Sequence, residues 1–358
     1  MPPDPREVLR LWLASGTAPS CASSEHAEAL VEAARRQGVA GLLHAAVAGE
    51  GGWPASAVVR LRELHRGLLA RGVAQLDLAR RARALLARAG VRTVPLKGAA
   101  LAETHYPSVA DRPMSDVDLL ALEGAEAARA ELVREGFQEV EAADHACALR
   151  DPVTGGILEL HHSVCSCPGF YPLDAEGVWA RSREAAGQVG RVPSTEDLLV
   201  HLSLHAVFQH GLVLSLVQYV DFRRVLGETP PDPDRLMALA AAARAEAAVA
   251  VALVAAEAVV AAPLDVVLRD RLRPHVPPGL RPRLEEVAAS PLRVVTPATP
   301  ALLRVRWEMA RGRRAEWMWR TLAPPSPGTP SAVPRALRAV TRGLTLARRW
   351  APQAWRRP

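Results

Sequence analysis

Cysteine is scarce, with four residues in 358, at positions 21, 147, 165 and 167. Nothing in their number or placement resembles the disulfide framework of a small secreted domain. Cys165 and Cys167 are too close together for a common structural zinc pair, and Pro168 and Gly169 follow at once, so this reads as a loop carrying two thiols. A long apolar run is also missing. The Ala/Val stretch 247–256 covers ten residues and is closed by Glu257, too short to span a bilayer. Residues 1–20 lack the basic start and apolar run of a signal peptide. Together these absences predict a cytoplasmic protein. Aromatic residues make up only 4% while alanine is abundant, which reads as coding bias rather than function. No internal repeat stands out.

What is present is a 49% apolar chain long enough for two or three domains, which places it among globular proteins. The net charge is +6 and the pI about 9.7. A basic balance suits a polyanionic partner, a nucleotide, nucleic acid or membrane surface. The surplus is uneven, however, because arginine dominates from residue 301 onward.

Periodicity predicts helices over 24–48, with Gly38 and Gly41 weakening the middle, and over 55–89, closed by Gly90. A short strand follows at 91–96, a helix from Gly98 to Tyr106, a strand at 116–121 and a helix from Gly124 to about Gly136. Residues 138–149 and 157–164 flank Asp151-Pro152 and Gly155-Gly156, the signature of a hairpin. Strand, helix, strand, helix and hairpin make a small mixed sheet. Further helices are expected at 195–209, capped by Ser194, at 211–226, at 233–262 and at 300–320. A Pro/Ser/Gly linker at 324–330 leads to a basic amphipathic helix at 335–350.

The strand 116–121 reads Asp-Val-Asp-Leu-Leu-Ala. Residues two apart on a strand share a face, so Asp116 and Asp118 stand side by side. Two anions that close are tolerable on a solvated edge, or when a cation holds them. Magnesium takes oxygen ligands from one or two carboxylates plus phosphates. In 157–163, Ile-Leu-Glu-Leu-His-His-Ser, Leu158 and Leu160 share one face while Glu159 and His161 share the other. Glu159 is the candidate third acid.

This order of residues resembles the polymerase-beta-like nucleotidyltransferase superfamily, and within it the family of uncharacterised nucleotidyltransferases. The marks are Leu96-Lys97-Gly98, Tyr106, Arg112, Ser115-Asp116-Val117-Asp118-Leu119, Glu159 with His161, and the later stretches His201–His210 and Tyr219–Phe222. The likeness is strongest over 90–225. Where the superfamily commonly has Gly-Ser, this chain has Gly98-Ala99. The resemblance implies an α+β fold, a small nucleotidyltransferase sheet domain at 90–190. It would be flanked by helical regions at 1–89 and 191–322, with the linker and basic helix at 323–358. It implies Asp116, Asp118 and Glu159 as catalytic residues and ligands of magnesium or manganese. Lys97, Gly98, Arg112, Ser115 and His161 would contact the nucleotide; the other reading pairs Lys97 with one of the acids, puts Arg112 in a loop salt bridge and packs His161 within its strand. The implied reaction moves a nucleoside monophosphate from a nucleoside triphosphate, ATP being the expected donor, to a small molecule, peptide or protein, releasing pyrophosphate.

Two other classes stay open. One is a weak or inactive nucleotide- or peptide-binding accessory protein, as in peptide natural-product biosynthesis; the other is a toxin or antitoxin of the minimal nucleotidyltransferase kind, for which this chain is long. His201 and His205 lie four apart, but Leu202 stands where a metalloprotease motif needs Glu, so core hydrogen bonding or cleft lining is expected. Tyr106 reads as a packing residue. Asp221 is either a substrate-side polar group or the partner of Arg223 or Arg224. Arg304, Arg306, Arg313 and Arg314 are candidates for gripping a polyanionic or acidic acceptor. The basic helix, with Arg335, Arg338, Arg342, Arg348 and Arg349, suits a fold-back onto an acidic patch, with weak membrane-surface contact or nucleic acid less favoured.

Overall fold

The computed structural model describes residues 3–21, 23–48, 52–142, 146–161, 170–172, 174–185, 190–289 and 305–322. Cys165, Cys167, Arg304, the 324–330 linker and the basic helix at 335–350 lie outside the described residues. Among those described, no helix is long and apolar enough to cross a membrane.

The amino-terminal part is helical. α1 (Pro5–Ser15) starts where the Asp4 carboxylate accepts the Arg6 N–H. The stretch read as one helix over 24–48 is two, α2 (Ser24–Arg36) and α3 (Ala40–Val47). Gly38 breaks it with φ +69°, and a Cβ there would sit 2.7 Å from Val217 Cγ1. α4 (Ala55–Arg88) runs for 34 residues and stops before Gly90, whose φ is +76°.

The sheet is built from β1 (Thr93–Pro95), β2 (Asp116–Ala121), β3 (Gln138–Ala142), β4 (Ala146–Arg150) and β5 (Ile157–His161), in the order β1-β2-β5-β4-β3. Helices α5 (Lys97–Thr104) and α6 (Ala125–Arg134) fall in the two connections around β2. The run 138–149 is thus two strands, not one; the expected hairpin is formed by β4 and β5. β2 and β5 pair in parallel and every other pairing is antiparallel. One face of the sheet buries Val117, Leu119, Leu158 and Leu160 against Leu78, Ala82 and Leu86 of α4 and Leu132 of α6. Arg81 of α4 forks onto Asp151, at 3.1 and 2.7 Å, and pins the β4–β5 turn to that helix. The opposite face carries Asp116, Asp118, Glu159 and His161, beside a small apolar cluster of Val94, Leu96, Leu120 and Val178.

The carboxyl-terminal part begins with α7 (Ala175–Arg181) and a two-stranded ribbon of β6 (Arg183–Glu184) and β7 (Arg191–Val192). α8 (Thr195–Leu204) is capped by Ser194, whose hydroxyl accepts the Asp197 N–H. It runs into one π-helical turn, His205–Gln209. α9 (Leu216–Glu228) follows. The alanine-rich stretch 233–262 is also two helices, α10 (Pro233–Ala242) and α11 (Glu246–Val260), parted at Arg244, which has φ +54°. α11 is buried around most of its circumference. Leu9, Leu30 and Leu43 of the amino-terminal helices share one core with Leu198, Phe222 and Val251. The sheet therefore sits against a helical body assembled from both ends of the chain.

Gly41 of α3 tests this junction. A Cβ there would lie 2.2 Å from the Ala110 carbonyl oxygen, a backbone atom that cannot swing aside. Gly41→Ala is expected to cost about 1–3 kcal/mol, read as a lower urea midpoint at unchanged m-value.

Candidate active site

In the parallel pair of β2 and β5, Asp118 lies opposite Glu159 and Leu120 opposite His161. Opposed residues of neighbouring strands share a face, so Asp116, Asp118, Glu159 and His161 all stand on the polar side of the sheet. His161 is buried, and its Nε2 lies 2.8 Å from Asp118 Oδ1 and 3.4 Å from Glu159 Oε2. Lys97 reaches the same Asp118 oxygen from the start of α5, with Nζ at 2.6 Å. Asp116 sits at the outer end of β2, where its Oδ1 accepts the Ser115 hydroxyl at 3.0 Å.

Lys97, Asp116, Asp118 and Glu159 form the floor of a cleft of about 820 Å³ between the sheet and the helical body, with His161 buried behind them. Gly98, Met114 and Ser115 line the near side, and a Cβ on Gly98 would lie 2.7 Å from Met114 Cγ. The far side is formed by Arg35 and Arg36 of α2, Arg71 of α4, His205, Gln209 and His210 of the π-turn region, and Gln218 of α9.

Residues 23–261 match the sequence profile of a family described as uncharacterised nucleotidyltransferases. The chain belongs to that family. The family lies within the polymerase-beta-like superfamily, and the mixed sheet flanked by helices is consistent with that fold. No curated protein matches the chain.

The donor set of this family member fits a divalent ion. One ligand atom from each of Asp118, Glu159 and His161 falls within 4.8 Å of the others, and carboxylate oxygens are the ligands magnesium and manganese prefer. Asp116 lies outside this trio, on the same face at the cleft mouth. The electrostatics are those of an acidic nest with partial compensation. Burial works against ionisation of Asp118, but Lys97 and His161 outweigh it and hold the carboxyl well below the usual range. The His161 hydrogen bond lowers Glu159. Burial would lower the imidazole of His161, but its bonds to Asp118 and Glu159 prevail and raise it. At Asp116 burial, then the charges of Asp118 and Glu159, outweigh the Ser115 hydroxyl and Lys97 and push its carboxyl up.

Arg112 lines the cleft, but its fork is engaged. Nε and Nη2 bind Asp221 of α9 at 2.7 and 2.8 Å, and Nη1 donates to the Pro113 carbonyl at 2.7 Å. Tyr106 donates its hydroxyl to the same Asp221 at 2.7 Å. Asp221 thus partners Arg112 and Tyr106, not Arg223 or Arg224. Arg223 instead donates to the carbonyls of Ala14 and Val260, and Arg224 pairs with Glu228. The buried triad fastens the loop before β2 to the helical body.

The two histidines read as one face part company. His201 stays buried beneath the floor, its ring edge-on to His161 at 6.4 Å. His205 opens the π-turn and lines the cleft, with Nε2 3.2 Å from His210 Nε2. Burial lowers both, His210 to about 4. Arg306 and Arg313 are spent on the backbone carbonyls of Phe208 and Phe170, and Arg314 donates to the Trp307 carbonyl. The cleft arginines 35, 36 and 71 carried no signal, since each sits on the charged side of an amphipathic helix. Lys97 did carry one: it is the only lysine among 44 basic side chains.

Asp221→Ala strands a buried guanidinium and a buried phenol, and is expected to destabilise by about 3–5 kcal/mol, measured by urea unfolding. The pH dependence follows from His210. Its folded value, about 4, lies below the ordinary 6.5, so the unfolded chain takes up the proton first. Its contribution is therefore whole above pH 6.5 and lost as pH falls toward 4. His210→Gln is expected to flatten the decline of the urea midpoint across that window.

Proposed function

We propose that the protein transfers a nucleoside monophosphate from a nucleoside triphosphate, ATP being the expected donor, to a hydroxyl-bearing small molecule, peptide or protein, releasing pyrophosphate. The observation that carries the proposal is the convergence of Asp118, Glu159 and His161 at the foot of a cleft of about 820 Å³, in a chain of this family.

In this reading Asp116, Asp118 and Glu159 hold magnesium or manganese. The ion supplies neutralisation of phosphate charge and of the charge that develops at the α-phosphorus. The chain's own residues supply position. His161 orients Asp118 and Glu159 from below. Gly98 leaves room for the phosphates beside the start of α5, where backbone N–H groups and Lys97 favour negative charge. Ser115 adds a hydroxyl at the mouth, and Arg112 shapes the wall through Asp221. The acceptor oxygen attacks the α-phosphorus, Glu159 takes its proton, and the bond to pyrophosphate breaks. Most of the rate comes from alignment and charge stabilisation. A cytoplasmic setting suits the free thiols Cys21 and Cys147.

The test is pyrophosphate release from ATP with magnesium and a panel of acceptors. Asp118→Asn and Asp116→Asn are each expected to lower the rate by about a hundredfold to a thousandfold. Full activity in the double variant would contradict the assignment. Nucleotide binding with no pyrophosphate from any acceptor would favour an accessory binding role.

A further inference from the structure

Lys97 is the only side-chain amine in a chain whose other basic residues are all arginine. Its backbone takes φ +44°, a left-handed conformation that a residue with a β-carbon adopts at a cost, and α5 begins on it. The turn brings Nζ to 2.6 Å from Asp118 Oδ1, the oxygen that also accepts from His161. Of the two carboxylates that meet at His161, Asp118 is the more deeply buried, at 5% side-chain exposure against 29% for Glu159. A divalent ion and an ammonium on one buried carboxylate repel each other strongly, because little water screens them.

We propose that Lys97 is a built-in counter-ion that holds the cation position at Asp118 before a divalent ion arrives. It then moves onto the phosphates of the incoming nucleotide, so that ion and nucleotide bind as a coupled pair. The inference rests on the nucleotidyl-transfer reading of the site. The acids lining the cleft are Asp116, Asp118 and Glu159, the residues the ion itself would use. An ammonium released from Asp118 therefore finds a new anionic partner in the cleft only when phosphate is there. The exchange explains the amine. A flexible stem carrying a point charge can let go of one anion and take another, whereas a guanidinium fork grips a carboxylate through two bonds. Arg112 cannot stand in, because its fork is committed to Asp221.

Manganese binding to the full chain, followed by loss of the free-ion electron paramagnetic resonance signal, tests this with and without α,β-methylene-ATP. Wild-type protein is expected to bind the ion weakly alone and about tenfold or more tightly with the analogue, a common size for coupling between two ligands. Lys97→Met is expected to bind manganese alone about tenfold more tightly than wild type, with little further gain from the analogue. Lys97→Arg keeps the charge and is expected to stay weak without the analogue. A Lys97→Met protein that binds the ion no better than wild type overturns the inference, even if the analogue still recruits manganese and the transfer reading survives. Failure of every form to bind manganese with the analogue present overturns both. If Lys97→Met does not fold, wild-type protein labelled with 13Cε-lysine gives a single lysine side-chain resonance. That resonance is expected to hold still with magnesium alone at low concentration and to shift when magnesium and the analogue are added together. A resonance unmoved by the pair overturns the inference.

Discussion

Two carboxylates face each other across a parallel pair of strands, and the rest of the site is arranged around that repulsion. Asp118 opposite Glu159 is fixed by the register of β2 with β5, which in turn is fixed by the apolar residues between them. Val117, Leu119, Leu158 and Leu160 must face α4 and α6, so the alternating residues must face the cleft. A one-residue slip would send the acids into the core. The charge is then met from two sides, by His161 from the next position on the same face and by Lys97 from the turn before α5. Asp116, at the end of the strand, keeps a raised carboxyl because burial and the two neighbouring acids outweigh Ser115 and the more distant Lys97. A site left electrostatically short of positive charge at one end is a site with affinity for a cation.

The cleft exists because the helical body is held at a set distance from this face. The Arg112–Asp221–Tyr106 triad joins the β2 loop to α9 in a buried setting, where losing one partner is far costlier than at the surface. Gln37, in the break between α2 and α3, accepts the Leu216 N–H through its side chain and the Val217 N–H through its carbonyl. These bonds bring α2, α9 and the loop before β2 to one corner. Arg35, Arg36 and Arg71 line the cleft there, Arg35 and Arg36 paired with Glu32 of their own helix. The π-turn supplies the remaining wall; extra-residue turns of this kind recur at functional positions.

Much of this was legible beforehand. Alternation in Asp-Val-Asp-Leu-Leu-Ala and in Ile-Leu-Glu-Leu-His gave the faces correctly, because a period of two leaves no freedom once one side is apolar. The span 116–121 that alternation predicts is β2 itself. What alternation does not encode is neighbourhood: that β5 lies beside β2 while β4 and β3 lie beyond it is a property of the assembled sheet. The breaks at Gly38 and Arg244 differ in the same way. The first carries a glycine that hints at a stop, whereas the second lies in alanine-rich sequence where every residue favours helix, and tertiary packing decides. The partner of Arg112 lies 109 residues away, beyond the reach of any local pattern. That Lys97 could pair with one of the acids was open in the sequence, but which of them it meets, Asp118 at 2.6 Å, needed the fold.

The most direct test of the central claim is anomalous diffraction from crystals grown with manganese and a nonhydrolysable nucleotide. The account requires a manganese peak bonded to both Asp118 and Glu159, with the phosphates on the cleft side of it. A peak elsewhere, or none at the sheet face while the nucleotide is bound, would contradict it.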